Sequence, residues 1–422
     1  MIDRLWKILT SLRLTVTLLG FGILLVFVGT VAQADEGLYT AQLRYFKHWY
    51  VFGITMFGKH LPVPLPGGYL IGSLLVLNLV LTYIKRFKFN TRTIGIHLTH
   101  IGIILLLVGQ LVTDIFSRES QMRFVEGESR SYSDNPMDYE LVFLTDADAQ
   151  NQKVVAIPEA RLAREGEVRH AELPFAVRVK SYWRNSEPAF RAPMQQNDPP
   201  QASQGISKNF DFRKSPVTAK MEEKNVPTAL IELTGPSGSL GTWIASGWNA
   251  DEVMLTALRR GWERQFGAQL AGKVFSQFTE PQTVEVGGKK YTLALRPERY
   301  YLPYSITLLK TTHEIYRGTD IPKNFQSRVR IENPRTSENR ETDIYMNNPL
   351  RYEGLTYYQY QMGRDEIDAA RGTSTLQVVR NPGWLTPYAG CVIVAAGLVF
   401  QFLLHLVGFI NKRKAGAVKA AA

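Results

Sequence analysis

Four long apolar segments divide this chain. They lie at residues 12–34, 69–84, 93–116 and 385–410. The hydrocarbon core of a bilayer is about 30 Å thick, and about 20 predominantly apolar residues cross it as a helix. The pattern therefore predicts four transmembrane α-helices, and it makes the lipid bilayer the first expected partner of the chain.

Between the third and fourth apolar segments the pattern changes to short β-branched and aromatic runs, which predict strands. These runs include DYELVFLT, FAVRVKSYW, TALIELT, YSITLLK, SRVRIEN and LTYYQYQM. TVEVGGKKYTLALR predicts a hairpin that turns at Gly287 and Gly288. Residues 251–267 predict a helix, and residues 185–216, rich in Pro, Gln, Asn and Ser, predict a long surface loop. We expect a β-rich domain, either a sandwich or barrel-like.

The domain plan follows from these segments. Residues 1–116 hold three transmembrane helices and an interfacial loop at 35–66, residues 117–384 form the β-rich domain, and residues 385–422 form the fourth helix with a basic tail. A cleaved signal peptide is the competing interpretation of the first segment, because VAQA precedes Asp35. Its uncharged run exceeds the ~7–15 residues of a signal h-region, so we predict a retained anchor.

Basic residues set the predicted orientation. The formal net charge is +11, and nearly all of the excess flanks the apolar segments. Eleven basic residues fall on the side that carries both termini: Arg4, Lys7, Arg13, Lys85, Arg86, Lys88, Arg92, Lys412, Arg413, Lys414 and Lys419. Only Arg44, Lys47 and Lys59 fall on the other side. The positive-inside rule predicts cytoplasmic termini and an extracytoplasmic β-rich domain, in the cytoplasmic (inner) membrane. The nearly neutral domain gives no sign of a nucleic-acid partner.

The predicted β-rich domain lacks the motifs of common catalytic sites. The one cysteine, Cys391, lies in the last apolar segment, so the domain has no disulfide and no Cys-x-x-Cys motif. No nucleophile motif, phosphate loop or metal-ligand spacing is evident, and we predict no catalytic residues there. The domain is expected to bind a protein partner.

Histidines inside the apolar segments are the candidate chemistry. His97 and His100 are three residues apart in the third segment, and His405 lies near the end of the fourth. An imidazole in a bilayer marks a proton, metal or cofactor site, or else it hydrogen-bonds to carbonyls or reaches toward the interface. Counting residues from the cytoplasmic ends predicts all three in one cytoplasmic-side layer.

These histidines could ligate a haem iron. His97 and His100 project from one helical face, so they cannot bind opposite faces of one haem. A second axial ligand must therefore come from His405 or from a partner subunit.

Several segments resemble the ResB-like family of cytochrome c biogenesis proteins. They are SLRLTVTLLGFGILLVFVGT in the first segment, HIGIILLLVG in the third, EGES after it, and IYMNNPLRYEGLTYYQYQM before the fourth. The order of four spans and one large domain agrees as well. Residues 150–320 carry no resemblance that we identify.

The resemblance implies a system II cytochrome c synthetase in which this chain pairs with a CcsA-like membrane subunit. Haem b would be carried across the membrane and presented for covalent attachment to apocytochrome c at the outer face. His100, nine residues before Gly109, matches the family's transmembrane haem ligand, and His97 is additional. The chain would then be a non-catalytic or partial subunit of the enzyme.

Two other classes remain open from the sequence. A membrane-anchored scaffold or sensor would use the histidines only structurally. A self-contained b-type electron-transfer cytochrome would pair His100 with His405.

Overall fold

The computed structural model describes residues 2–56, 58–87, 90–146, 151–191, 199–218, 224–318, 322–365 and 370–421. Lys88 of the predicted basic cluster and residues 192–198 of the predicted loop lie outside these ranges. The chain forms two compact units. The helical unit comprises Met1–Arg118 and Arg380–Ala422, and the β-rich unit comprises Glu119–Thr218 and Lys224–Val379.

The chain begins with helices and one small hairpin. In order they are α1 (Ile2–Leu9), α2 (Leu12–Glu36), α3 (Leu38–Ala41), β1 (Tyr50–Met56), β2 (Lys59–Pro66), α4 (Gly68–Arg86) and α5 (Ile94–Phe116). The strands and short helices that follow are β3 (Arg118–Val125), β4 (Ser129–Asp146), β5 (Gln152–Pro158), α6 (Glu159–Leu162), β6 (Gly166–Val168), β7 (Ala176–Trp183), β8 (Ser186–Phe190), β9 (Phe210–Lys214), β10 (Thr228–Gly235) and β11 (Gly238–Ser246).

The second half of the β-rich unit starts with two helices. It comprises α7 (Glu252–Phe266), α8 (Ala268–Phe278), β12 (Gln282–Val286), β13 (Lys289–Ile315), β14 (Pro322–Asn333), β15 (Glu338–Tyr345), β16 (Leu350–Tyr352), β17 (Leu355–Arg364) and β18 (Gly372–Arg380). The long helix α9 (Thr386–Ala421) closes the chain.

All four predicted apolar segments are helices. Stretches long and apolar enough to cross a membrane are Leu12–Glu36, Gly68–Lys85, Thr91–Phe116 and Thr386–Arg413. Each is largely exposed within the chain, as expected where lipid and not protein covers the side chains. The fourth helix continues well past the predicted end at residue 410.

Helices α5 and α9 pack with their backbones nearly in contact. Glycines recur every seven residues along both segments, at Gly95, Gly102 and Gly109 of α5 and at Gly383, just before α9, and Gly390 and Gly397 of α9. A Cβ added at Gly95 would lie 2.7 Å from the carbonyl oxygen of Gly397. A Cβ at Gly102 would lie 2.9 Å from that of Gly390. Small residues permit such close approach in apolar surroundings, where dispersion contacts replace the hydrophobic effect.

The predicted interfacial loop at 35–66 is more ordered than the sequence indicates. It holds α3, a π-helical turn at Gln42–Phe46 and the antiparallel hairpin of β1 and β2. The Tyr45 side chain is fully buried there, and its hydroxyl accepts a hydrogen bond from the Thr55 amide at 3.0 Å. Gly53, with φ of +79°, bulges β1 where a side chain would strike the His60 ring. Sequence reasoning missed the hairpin because Pro62, Pro64 and Pro66 in β2 argue against a strand.

The β-rich unit has two lobes, so the sandwich and the barrel-like expectations each describe one part. In the sandwich lobe a four-stranded sheet, ordered β11-β10-β7-β6, shares a core with β4, β5, β12 and the first half of β13. In the barrel lobe the strands β3, β13 to β18 surround a second core. The long strands β4 and β13 pair with each other through both lobes. The predicted hairpin is present as β12 and β13, with positive φ at Gly287 and Gly288.

The predicted surface loop at 185–216 is wrong in its described part. Strands β8 and β9 pair there as a hairpin, and the Phe210 and Phe212 side chains on β9 are buried. They pack with Trp262 of α7 and Phe278 of α8 in a separate apolar cluster. The helix predicted at 251–267 is α7, and α8 was not predicted. The sequence analysis missed this satellite core because polar residues surround the two phenylalanines in the sequence.

A buried ion pair links β4 to β13. Arg296 Nε donates to Glu140 Oε1 at 3.0 Å, and Arg296 Nη2 donates to the Tyr301 hydroxyl at 2.9 Å. Both charged side chains are nearly inaccessible, 6% and 9% exposed. Burial raises the pKa of the Glu140 carboxyl above its usual value although the Arg296 guanidinium opposes the shift. Desolvation thus offsets much of the attraction between the two charges.

The close packing of α5 on α9 predicts that an alanine substitution destabilises the chain at Gly102 but not at Gly72. Gly102→Ala should lower the melting temperature of the purified chain in detergent, because its Cβ would lie 2.6 Å from Val394 Cγ2. Gly72→Ala is the matched control, since a Cβ there meets nothing within 4 Å. That variant should be neutral or stabilised by up to about 1 kcal/mol through helix propensity. Equal effects at the two sites would contradict the packing.

The buried pair predicts a non-additive double substitution. Arg296→Met alone should destabilise a 117–384 fragment by about 3–5 kcal/mol in urea unfolding, because it leaves Glu140 buried and unpaired. Arg296→Met combined with Glu140→Met should cost clearly less, since no charge then remains. A double variant as unstable as the sum of the single ones would show that the two charges are not coupled and would contradict this prediction.

Candidate functional site

The candidate site lies where the ends of α4 and α5 meet. His97 and His100 are in the second turn of α5, and both side chains are half-buried. Asn90 caps the 3₁₀ turn that leads into α5, so the entry of the helix is fixed. The structure brings these two predicted site residues together beside two aromatic side chains of the preceding hairpin.

Tyr83 of α4 and Phe87, directly after α4, form an aromatic wall against the two histidines. The Tyr83 ring stacks on the His100 imidazole with centroids 6.3 Å apart and planes 25° apart. The Tyr83 ring meets the His97 ring edge-on at 5.5 Å, and the Phe87 ring lies 4.8 Å from His97. The sequence analysis did not single out Tyr83 or Phe87. The signal that could have found them is their aromatic character at the end of the second apolar segment.

The His100 hydrogen bond determines its tautomer. His100 Nδ1 lies 2.8 Å from the Ile96 carbonyl oxygen, one turn earlier in α5. A carbonyl only accepts, so Nδ1 carries the proton and Nε2 carries the lone pair. Among the hydrogen bonds of the described residues, none reaches Nε2. The helix backbone thus holds His100 Nδ1 and leaves Nε2 as the nitrogen that could coordinate a ligand.

Both histidines face away from α9. The glycine stripe of α5 packs on α9, and His97 and His100 each lie two residues from a stripe glycine, Gly95 and Gly102. At 100° per residue this is about 200° around the helix, nearly the opposite side. The tight α5–α9 contact thus turns the histidines toward α4 and toward the surface beside it.

His405 does not share their layer, contrary to the sequence expectation. The antiparallel glycine register places Gly95 beside Gly397 and Gly102 beside Gly390. His100 is then level with the residues just after Gly390, and His405 is roughly ten residues further along α9. At 1.5 Å per residue the two imidazoles differ by about 15 Å along the axis. Counting from apolar ends failed because α9 continues as a helix far beyond the end of α5.

The His405 side chain makes a contact within its own helix. Its Nε2 lies 3.0 Å from the Gln401 amide nitrogen, one turn earlier in α9, and the ring is exposed. The Gln401 amide is a donor, so His405 Nε2 accepts from it and is already engaged. The described contacts of His405 therefore tie it to Gln401 and not to the α4–α5 histidines.

Metal chemistry of the common protein-ligand kind is not evident in the described ranges. No group of three or more His, Cys, Asp or Glu side chains within them could hold a metal ion. A single oriented imidazole on a helix surface instead suits a ligand that brings its own metal and needs only axial coordination. The residues present at α4 and α5 fit a planar metal macrocycle: one axial nitrogen and two aromatic rings.

Comparisons with known proteins bear on the β-rich unit. Residues 272–373 match the model of the ResB-like family, about a quarter of the chain. This match begins inside residues 150–320, where the sequence analysis identified no resemblance, and it contains none of the three candidate histidines. Protein NrfI of Wolinella succinogenes is 28% identical over 124 residues, which are 29% of this chain and 13% of NrfI.

The family match coincides largely with one lobe of the β-rich unit. Residues 272–373 run from α8 through β12 to β17 and reach the start of β18, so they include most of the barrel lobe. The match agrees with the predicted resemblance to the ResB-like family over this part of the chain.

Proposed function

We propose that this chain is a membrane subunit of a system II cytochrome c synthetase. In this proposal it helps carry haem across the cytoplasmic membrane and present it to apocytochrome c at the outer face. A CcsA-like subunit is the proposed partner. The ResB-like match and the relation to NrfI support a role in cytochrome c biogenesis, and the oriented imidazole of His100 is the observation that supports haem handling.

His100 is the proposed axial ligand. Haem, when bound, would supply an iron that accepts a lone pair from an imidazole nitrogen. The chain contributes the orientation: the Ile96 carbonyl holds the Nδ1 proton, which leaves Nε2 for coordination. Tyr83 stacks beside the imidazole, and its ring restricts rotation about the His100 side chain. His97 packs against the Tyr83 and Phe87 rings.

The second ligand is proposed to come from the partner subunit. Two axial nitrogens of one iron must lie within a few ångströms of each other, and the glycine register separates His405 from His100 by about 15 Å along the axis. This disfavours the self-contained b-type cytochrome, which needs an internal pair. With a single ligand in this chain, haem b binding requires the complex. We therefore assign the chain a non-catalytic or partial role in the enzyme.

The β-rich unit is proposed to lie outside the cytoplasm. The basic residues at the start of α1, between α4 and α5, and at the end of α9 lie on one side of the four helices. The positive-inside rule then makes both termini cytoplasmic and the inner membrane the location. From there the β-rich unit would meet apocytochrome c.

A compartment-dependent reporter tests this orientation. Alkaline phosphatase fused near residue 250 should be active, and the same enzyme fused at residue 88 or 420 should be inactive. The reason is that the basic flanks hold those positions in the cytoplasm. Western blots control for fusion level. Activity of a well-expressed fusion at 88 would show that the orientation is reversed.

The haem-ligand proposal predicts a specific defect at His100. His100→Ala should remove most of the haem absorbance from the purified complex while protein level and topology stay normal. Imidazole added to the medium should restore part of it by occupying the vacated coordination position. Co-purification of the partner subunit, followed on the same preparation, shows whether the complex is intact.

Matched histidine variants complete the test. His97→Ala should retain most of the haem, because His97 is not the oriented donor. His405→Ala should also retain haem, because the register places it at another depth. A normal haem spectrum with normal cytochrome c maturation in His100→Ala would refute the proposal. Loss of haem in His405→Ala alone would favour a ligand from α9.

A further inference from the structure

The first helix of the chain has two sharply different faces. In α1 the residues Ile2, Leu5, Trp6, Ile8 and Leu9 occupy one arc of the helix, and Asp3, Arg4 and Lys7 occupy the rest. At 100° per residue the apolar arc spans about 160° and is centred opposite the charged one. This pattern normally buries the apolar face against something.

Within the described part of the chain, most of that face is uncovered, and only Leu9 at its C-terminal end is partly buried. The exposed fractions are 82% for Ile2, 56% for Leu5, 39% for Trp6 and 56% for Ile8. The charged face is exposed as well. Isolated helices of eight residues are marginal in water, so α1 needs a surface on which its apolar side chains lose contact with water.

Buried polar contacts fix where α1 leaves the membrane-spanning helix α2. Ser11 is extended, with φ of −94° and ψ of 140°, and its Oγ accepts from the Leu14 amide as the cap of α2. Asn78, only 2% exposed on α4, donates to the Leu9 carbonyl at 2.6 Å. Asn78 Oδ1 accepts from Thr15 Oγ1 at 2.6 Å. The chain therefore bends between α1 and α2 at a fixed point.

That bend lies at the level where α4 ends. Lys85 Nζ, in the last turn of α4, donates to Thr10 Oγ1 at 2.8 Å. A lysine at the end of an apolar helix marks the boundary between hydrocarbon and headgroups. The C-terminal end of α1 thus lies at this boundary, next to the extended Ser11 that separates α1 from α2.

We propose that α1 is an interfacial helix that lies in the plane of the membrane. Its partner is the lipid–water boundary of the bilayer that the four long helices cross. The apolar arc enters the acyl region, Trp6 lies at the headgroup level, and Arg4 and Lys7 stay in water near lipid phosphates. The inference does not depend on haem.

Site-directed spin labelling of the full chain tests the placement. In a Cys391→Ser background, nitroxides are attached through Leu5→Cys and Lys7→Cys, which lie about 160° apart on α1. The protein is reconstituted in phosphatidylcholine–phosphatidylglycerol vesicles, and collision rates with oxygen and with a nickel chelate are measured. The ratio of oxygen to nickel collisions should be several-fold higher at position 5 than at position 7.

A second pair guards against a local effect of one label. Ile2→Cys and Arg4→Cys should repeat the contrast, with position 2 in lipid and position 4 in water. Equal ratios at both members of both pairs would overturn the proposal and place α1 in solvent. Shielding of positions 2 and 5 from both reagents, with spin–spin broadening that disappears on dilution with unlabelled protein, would also overturn it. In that case a second copy of this chain, and not lipid, covers α1.

Discussion

The contact between the backbones of α5 and α9 determines the geometry of the helical unit. Each glycine costs about 1 kcal/mol of helix propensity relative to alanine, and three of them line one face of α5. The compensation is dispersion between two helices that approach more closely than any side chain would allow. Because the glycines repeat at seven residues along both segments, only one antiparallel register brings all three pairs together. The depth of every other residue on α5 and α9 follows from that register.

Polar side chains on the long apolar helices act as fixed links between the remaining helices. Asp114, near the end of α5, accepts from the Tyr69 hydroxyl of α4 at 2.6 Å and pairs with Lys47 at 2.6 Å. Asn78 joins α4 to the start of α2. A polar group in hydrocarbon without a partner is costly, so each of these links resists separation of its helices. The α4–α5 pair that carries the histidines is therefore held at both ends: by Tyr83 stacked on His100 at one and by Asp114 at the other.

The β-rich unit relies on continuity of strands. β4 and β13 pair through the sandwich lobe and into the barrel lobe, and the buried Arg296–Glu140 pair lies on these two strands. Two separate cores thus share one ladder of backbone hydrogen bonds, which couples the lobes. The ResB-like match falls mainly on the barrel lobe, and the satellite cluster of β8, β9, α7 and α8 begins before it. This satellite cluster has an aromatic core of its own, separate from the cores of the two lobes.

Sequence alone determined the features that local physics controls. Four apolar segments, the alternating strands and the Gly287–Gly288 turn depend on hydrophobic period and backbone φ, which neighbouring residues specify. His100 was also visible as a candidate residue, since a histidine in an apolar helix is unusual. Only the tertiary structure decided which helix those histidines face and at what depth His405 lies, because both depend on glycine contacts between segments almost 300 residues apart. The hairpin at 50–66, the buried Phe210 and Phe212, and the fixed bend before α2 were likewise decided by non-local packing, which no periodicity along the chain records.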